Sequence, residues 1–585
     1  MFRDIIRDAI KHAITTLQTE GALGGFDLPE ISVEVPEEPS HGDYATSAPF
    51  SISKLARQKP AAIAELVAAK LKEQQGDLFA DVRAAEPGFI NFFLRDDVLG
   101  KSLVGLLEHP DQWSNSQAGS GKTVLVEYFQ LNVAKRPHIG HLRSAVIGDA
   151  LKRMFLAFGY RAVSDTHVGD WGTQFGILLA YVKGELLALP ADWNFERELA
   201  NGDPFSKLEQ FYVEGSTYIE NYPESRDAAK KEFAKLEHGD PENRRLWKLM
   251  LDISMEKLLE SAHHLGLCPF EEHKGESSYE DAMPSIVELA LRKGVAKKTS
   301  DGAVIVDLTA QNLDDAVLVK SDGASTYLLR DLATIQYRKQ RWRFSKNLYV
   351  VDVRQSHHFK QLFRVAELLG FEGVGESEHI EFGFISLPEG VLSTRAGTAI
   401  SLDAVITEAK ERARRVIEEK NPGLANKDAV AEAVGIGALK YFDLSHHRKS
   451  DIVFRWDEAL SFDGNTGPYL QYTHARLKSI LRKVGSEKIK NIEKIEMDRV
   501  EHQLLTAMLQ LPETIEDALV GYAPNVLANY LYNLAKLANE FYHSHPVSQE
   551  SDEAKRELRT AIVAGVATTL ARGLKLLGIE APEEM

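Results

Sequence analysis

Cysteine is almost missing: Cys268 stands alone among 585 residues. One thiol excludes a disulfide framework and any zinc site built from several thiolates, and it fits a reducing compartment. Long apolar runs are missing too. The longest in the tail, Thr560 to Ala571, has 12 residues, short of the roughly 20 that a membrane-spanning helix needs. The opening Met-Phe-Arg-Asp-Ile-Ile-Arg-Asp mixes acids into its apolar periodicity and holds no signal-peptide core. These features predict a cytoplasmic protein with no membrane partner. Excess positive charge is also lacking, with 69 Lys and Arg against 86 Asp and Glu, a net of −17. Any nucleic acid it binds must therefore meet a local basic surface, because the global field repels a polyanion. The rest, 44% hydrophobic and 26% charged, excludes collagen-like and low-complexity chains. The length implies several domains.

Periodicity divides the chain. Phe2, Ile5, Ile6, Ala9, Ile10, Ala13, Ile14 and Leu17 share one helical face. Ile31, Val33 and Val35 alternate as in a strand, Pro60 opens a helix, and Gly88-Phe-Ile-Asn-Phe-Phe-Leu94 reads as another strand. Residues 1–112 thus form an α+β unit, followed by a polar stretch from His109 to Gly121 that reads as a linker. From 118 to 455 the order becomes strand, loop, helix. Thr123 to Phe129 is a strand, Leu142 to Phe155 a helix closed by Gly159, and Arg161 to Asp165 a second strand before a Gly-rich turn. That alternation predicts a doubly wound parallel sheet. Residues about 183–275 read as a helical insertion, Asn347–Val353 and Ile380–Leu387 resume the strand pattern, and 456–585 is almost wholly helical, as in a bundle.

Ala118-Gly-Ser-Gly-Lys-Thr123 imitates a phosphate-binding loop, but Ser116 occupies the required first glycine position and the stretch precedes its strand instead of following it. His138-Ile-Gly-His141 is better placed, after the first strand and at the start of its crossover helix, where free N–H groups and the helix dipole favour phosphate. Gly140 would let a nucleotide base approach the backbone. Read alone, two such histidines equally suit a helix surface or core. Tyr337-Arg-Lys-Gln-Arg-Trp-Arg-Phe-Ser-Lys346 interleaves basic and aromatic residues, as an RNA contact or a solvated helix end would. Tyr469, Tyr472 and Arg476 recur at helical spacing, for stacking on unpaired bases or for packing. His263-His264 and His357-His358 are adjacent pairs whose members diverge, so no structural metal is expected.

Taken together, Glu127-Tyr-Phe-Gln-Leu-Asn132-Val-Ala-Lys135-Arg-Pro-His138-Ile-Gly-His141, Gly169-Asp-Trp-Gly-Thr-Gln-Phe-Gly176, Tyr327-Leu-Leu-Arg-Asp331 and Thr466-Gly-Pro-Tyr-Leu-Gln-Tyr472 resemble the arginyl-tRNA synthetase family of class I, over essentially the whole length. The stretch departs at Phe129 and Leu131, where that family usually has Ser and Pro. His41-Gly-Asp-Tyr-Ala-Thr46 and Pro87-Gly-Phe-Ile-Asn91 resemble its extra N-terminal tRNA-binding domain.

The resemblance implies a Rossmann-like catalytic domain between that domain and an all-α anticodon-binding bundle. It implies ligation of L-arginine to tRNA(Arg) through an arginyl-adenylate, with ATP and Mg2+ as the substrate complex, in a monomer. It assigns arginine to Glu127, Asn132, Tyr327, Asp331 and Gln361, carboxylates suiting a planar cation. It assigns ATP to His138, Gly140 and His141, and to a mobile loop whose counterpart is Val391-Leu-Ser393-Thr394-Arg395-Ala-Gly397, which lacks the family-class lysine. Lys135 then becomes the compensating cation beside His138, His141 and Arg395, against the alternative of a solvated loop lysine. tRNA falls to Phe89 and Asn91 at one end and to Tyr469, Tyr472 and Arg476 at the other. Two rivals stand beside this reading: another enzyme with the same nucleotide site, and a non-catalytic RNA-binding protein on a synthetase scaffold.

Overall fold

A computed structural model describes residues 1–190, 192–386, 388, 401–485 and 496–585. Its centre is a parallel sheet. β4 (Thr123–Glu127) pairs on one side with β5 (Arg161–Asp165) and on the other with β9 (Lys346–Tyr349), which pairs with β10 (Ser377–His379). The chain leaves β4 through the helix Ile139–Ala157 to reach β5, and only later returns to β4's other edge. That reversal of strand order opens a crevice at the carboxyl ends of the strands, the usual ligand position in an open α/β sheet. Glu127, Asp165 and Tyr349 stand there in register.

Ahead of this sheet, β1 (Tyr44–Thr46), β2 (Phe79–Ala85) and β3 (Phe89–Leu94) form an antiparallel sheet in the order β1-β3-β2, with the helix Pro60–Gln74 packed on it and the helix Phe2–Thr19 packed against that helix. Four helices, Phe195–Ala200, Pro204–Asn221, Arg226–Glu237 and Pro241–His264, form the expected insertion after β5. It is followed by an unforeseen antiparallel sheet, β6 (Ala296–Lys298), β7 (Val304–Val306) and β8 (Ala316–Val319). β11 (Ile385–Ser386) and β12 (Ile452–Val453) make a short parallel pair. The helices Gly467–Val484, Arg499–Leu509, Leu511–Val520, Pro524–Ser544 and Glu553–Leu576 build the C-terminal bundle.

Three local expectations change. Ile5 is 49% exposed, off the buried face of its helix. Ile31 to Val35 contributes only one bridge, Glu34 to Ala45, because Pro29 and Pro36 bracket it and limit ladder donors. The polar stretch before β4 is pinned instead of loose, since Arg572 of the bundle donates to Ser114 Oγ at 2.7 Å and Asn115 Oδ1 at 2.6 Å. Arg143, fully buried, pairs with Asp443 at 2.9 Å and donates to the Ser450 carbonyl at 2.8 Å, locking the crossover helix onto the helix Lys427–Leu444.

Candidate active site

His138 is the N-cap of the crossover helix. Its Nδ1 accepts the Gly140 N–H at 3.0 Å, while His141 Nδ1 accepts the His138 N–H at 3.1 Å, a reciprocal capping box made of two imidazoles. The rings lie 4.0 Å apart, and a Cβ on Gly140 would meet His138 Cε1 at 2.7 Å, so any larger residue there would displace the His138 ring. Burial, and then the charge of Arg354, lowers His138; burial, and then His138, pushes His141 down to about 3. With each Nδ1 accepting, the single ring proton sits on Nε2. The pair is therefore two neutral N–H donors at a helix N-terminus. Phe129, unusual for its position, takes a left-handed conformation at φ 60° and is held by Ser144 Oγ at 3.0 Å.

Ser393, Thr394 and Arg395 lie outside the described residues. The chain resumes at Ser401, which bridges to His138, with the Leu402 N–H donating to the Pro137 carbonyl at 2.8 Å. The segment carrying the loop thus ends beside the histidine pair. Lys135 is exposed, its Nζ 5.3 Å from the centre of the Tyr212 ring and without an ion pair among the described residues. By contrast Lys257, in the same small crevice, is committed to Asp403 at 2.8 Å and Glu260 at 2.7 Å.

The carboxyl ends of the strands are ionic. Arg338, fully buried, sets one Nη 2.6 Å from Glu127 Oε2 and 2.9 Å from Asp165 Oδ2. Asp331 receives His358 Nε2 at 2.6 Å on one oxygen and stands 3.4 Å from His167 Nε2 on the other. These two imidazoles outweigh burial and hold its carboxyl well below the usual range. Tyr327, one turn earlier and 61% exposed, sets its hydroxyl 3.8 Å from where a Gly172 Cβ would stand. Asn132 bridges to Gly169, whose Cβ would lie 2.3 Å from Asn132 Oδ1, so the glycine admits the asparagine. Glu127 and Asp331 converge on His167, with Asn132 and Tyr327 against the adjoining Gly-rich turn. Gln361 stands one turn beyond His358 on the helix Ser356–Leu369, its amide donating to the Asp314 carbonyl at 2.9 Å.

His167 was not singled out by sequence, His358 was named only within an adjacent pair set aside as metal ligands, and Arg338 was not read as a site residue. His358 carried one signal, its three-residue spacing from Gln361. Arg338 belongs to the segment weighed as an RNA contact, and that segment is largely spent internally. Tyr337 donates to Glu272 at 2.7 Å, Trp342 to the same carboxylate at 3.2 Å, and Lys339 to the Phe344 carbonyl at 2.9 Å.

The two ends of the chain present aromatic faces. Phe89 is exposed and meets Phe50 edge-on at 5.2 Å, while Arg83 covers Phe93 at 4.4 Å on the same sheet. Asn91, expected at the tRNA, is only 8% exposed within β3, which leaves Phe89 as the exposed member of that pair. In the bundle Tyr472 is exposed, and Tyr469, half-buried, accepts from Asn539 at 2.8 Å. Arg476 lies 4.0 Å over the Tyr542 ring. One potential metal cluster, Asp498, Glu501 and His545, occurs among the described residues, but Glu501 is paired with Arg559 at 2.8 Å and Asp498 with His545 at 2.7 Å.

Three family models match: "tRNA synthetases class I (R), catalytic domain" over residues 103–456, "DALR anticodon binding domain" over 470–585, and "Arginyl tRNA synthetase N terminal domain" over 4–94. The chain is 35% identical to an arginine–tRNA ligase of Halothermothrix orenii over the whole of both chains. It is 38% identical to that of Alkaliphilus metalliredigens, over 97% of this chain and 98% of the relative. Its fold matches the arginyl-tRNA synthetase of Thermus thermophilus with a TM-score of 0.82 at 27% identity, covering both chains completely. The Plasmodium falciparum arginyl-tRNA synthetase matches at 0.81 and 25%, over all of this chain and 99% of the other.

Proposed function

The chain belongs to the arginyl-tRNA synthetase family of class I, which charges tRNA(Arg) with arginine in translation, and from that premise we propose how its residues divide the work. In the first step the arginine carboxylate attacks the α-phosphorus of ATP in line, forming arginyl-adenylate and releasing pyrophosphate. A 3′-terminal ribose hydroxyl of the tRNA then attacks the arginyl carbonyl, and AMP leaves. Little covalent work falls to the protein, so catalysis is positioning and electrostatic stabilisation.

His138 and His141 donate their Nε2 protons to the phosphates, with Gly140 under the adenine. Lys135 supplies the net positive charge, assisted by Ser393, Thr394 and Arg395. Mg2+ arrives with ATP. Glu127, Asn132, Tyr327, Asp331 and Gln361 hold arginine, the carboxylates facing the guanidinium and the two amides its amino and carboxylate ends. Phe89 contacts the outer part of the tRNA, and Tyr469, Tyr472 and Arg476 stack on the anticodon. The domain limits we favour are 1–112, 118–455 and 456–585. The enzyme works as a cytoplasmic monomer.

The observation that carries this reading is the polarity of the crevice: neutral N–H donors at a helix N-terminus at one end and carboxylates at the other. ATP and a guanidinium amino acid need that order. Aminoacylation of tRNA(Arg) with each of the twenty amino acids tests it. Arginine alone should be transferred, and Tyr472→Ala should raise the KM for tRNA while leaving that for ATP unchanged. Charging with another amino acid, or tRNA binding without charging, would support a rival.

A further inference from the structure

We propose that His167 is the proton-exchanging residue of the arginine pocket: protonated in the arginine-free enzyme, it releases that proton as the guanidinium binds and then accepts a guanidinium N–H on Nδ1. The proposal rests on the arginine reading above and adds to it a residue that the reading left without a role.

The geometry is specific. His167 opens the Gly-rich turn after β5 in a left-handed conformation, φ 40°, which a non-glycine residue adopts only when its surroundings hold it there. Its Nε2 faces Asp331 Oδ1 at 3.4 Å. Its Nδ1 is buried and has no hydrogen-bond partner among the described residues. A buried polar atom without a partner is costly, and here it belongs to the ring that touches the carboxylate assigned to arginine.

Charge decides when that ring holds two protons. Glu127 faces it from β4, Asp165 from β5, Asp331 and Arg338 from the helix Tyr327–Trp342. Asp170 lies on its own turn, while Glu276 and Tyr279 face it from the segment Glu276–Ala282, Glu276 already paired with Arg330 at 2.9 Å. His358 touches the far oxygen of Asp331. Burial disfavours the imidazolium, as does Arg338, yet Glu127 and Asp331 more than offset them and raise His167 to about 9. A guanidinium laid on those same carboxylates cancels the field that sustains the proton and leaves the burial that opposes it. The Nδ1–H bond then breaks, the proton goes to solvent buffer, and the electron pair stays on Nδ1. The guanidinium has donors only, so that lone pair is the one form of the ring that suits it.

Calorimetry of L-arginine binding to the full-length enzyme, in two buffers of different ionisation enthalpy near pH 7.5, counts the protons. Wild type should release about one proton more than His167→Gln. Its arginine affinity should gain up to about tenfold per pH unit between pH 7 and 9, as expected for one linked proton, and the variant should lose that dependence. The substrate's own amino group contributes equally to both proteins and cancels. His167→Asn, which tolerates the left-handed backbone, serves if the glutamine variant folds poorly. A structural role alone would weaken binding without changing proton release. Equal proton release in wild type and variants overturns the role of His167 while leaving the arginine reading intact. No arginine binding by wild type overturns the reading itself.

Discussion

The two ends of the crevice use the same side chain under opposite physics. At the phosphate end His138 and His141 are buried beside each other, with no carboxylate among the groups that shift them, and are driven neutral. At the guanidinium end His167 is equally enclosed but set between Glu127 and Asp331, and is driven to charge. Residue type fixes neither outcome; the sign of the nearest fixed charge does. A neutral pair can donate to a polyanion without first meeting counter-ions of its own, and a charged ring can stand in for a cationic substrate. The difference also allots electrostatic work. The histidine pair brings direction but no net charge to the phosphates, so charge must come from Lys135 and the loop.

The strongest test removes the carboxylate that two histidines share. Asp331→Asn keeps shape and deletes charge, and breaking a buried charged pair costs roughly 3–5 kcal/mol. The KM for arginine should rise by about two to four decades while that for ATP stays put. The same change should lower His167 toward the behaviour of the phosphate-end pair, so that arginine binding no longer releases its proton. An unchanged arginine KM would falsify the assignment of Asp331.

Lys135→Ala probes the other end. If the histidine pair is neutral, losing the nearby cation removes a preorganised charge donor, worth about 10²–10³ in kcat. The KM values should change little, because the interaction matures only as charge builds in the transition state. Thr394→Lys in that background should recover part of the rate. Activity within a few-fold of wild type after Lys135→Ala would mean that phosphate charge is met elsewhere, by Arg395 and magnesium.

What sequence could read follows from distance along the chain. The capping histidines sit three residues apart in a strand–loop–helix context, so their position was legible, although their neutrality depended on burial. Asp331 and Tyr327 were legible through the motif Tyr327-Leu-Leu-Arg-Asp331 that carries the family resemblance. His167, His358 and Arg338 were not, because each acquires its partner only when strands and helices remote in sequence are brought together. Arg338 meets Glu127 and Asp165 across about two hundred residues. A run of basic letters records charge but not what lies opposite it, which is why Tyr337–Lys346 read as a surface. The strand expected at Ile31–Val35 failed for a similar reason: alternation marks a face, but pairing needs a neighbour.

The smallest expected effect lies far from the crevice and isolates the carboxylate-held behaviour from substrate. His502 joins the bundle to the N-terminal domain, its Nε2 3.0 Å from Asp43 and its Nδ1 2.8 Å from Asp96. Burial opposes its charge, but the two carboxylates raise it from 6.5 to about 9. Unlike His167, both of its nitrogens are partnered, so no ligand is called for and only stability should register the charge. Because the folded value lies above the ordinary one, the contribution is complete below about pH 6.5 and is lost as pH rises through about 9. His502→Gln keeps one donor but no charge. With the site 21% exposed, solvent screening limits the cost to about 1–2 kcal/mol at pH 6.5. Thermal unfolding across pH 6 to 10 should show wild type more stable at the acid end and the two proteins converging above pH 9. Lys440, pushed down to about 8 by burial, titrates in the same window in both proteins and cancels from their difference. A gap between the curves that stayed constant with pH would mean that His502 acts through shape alone.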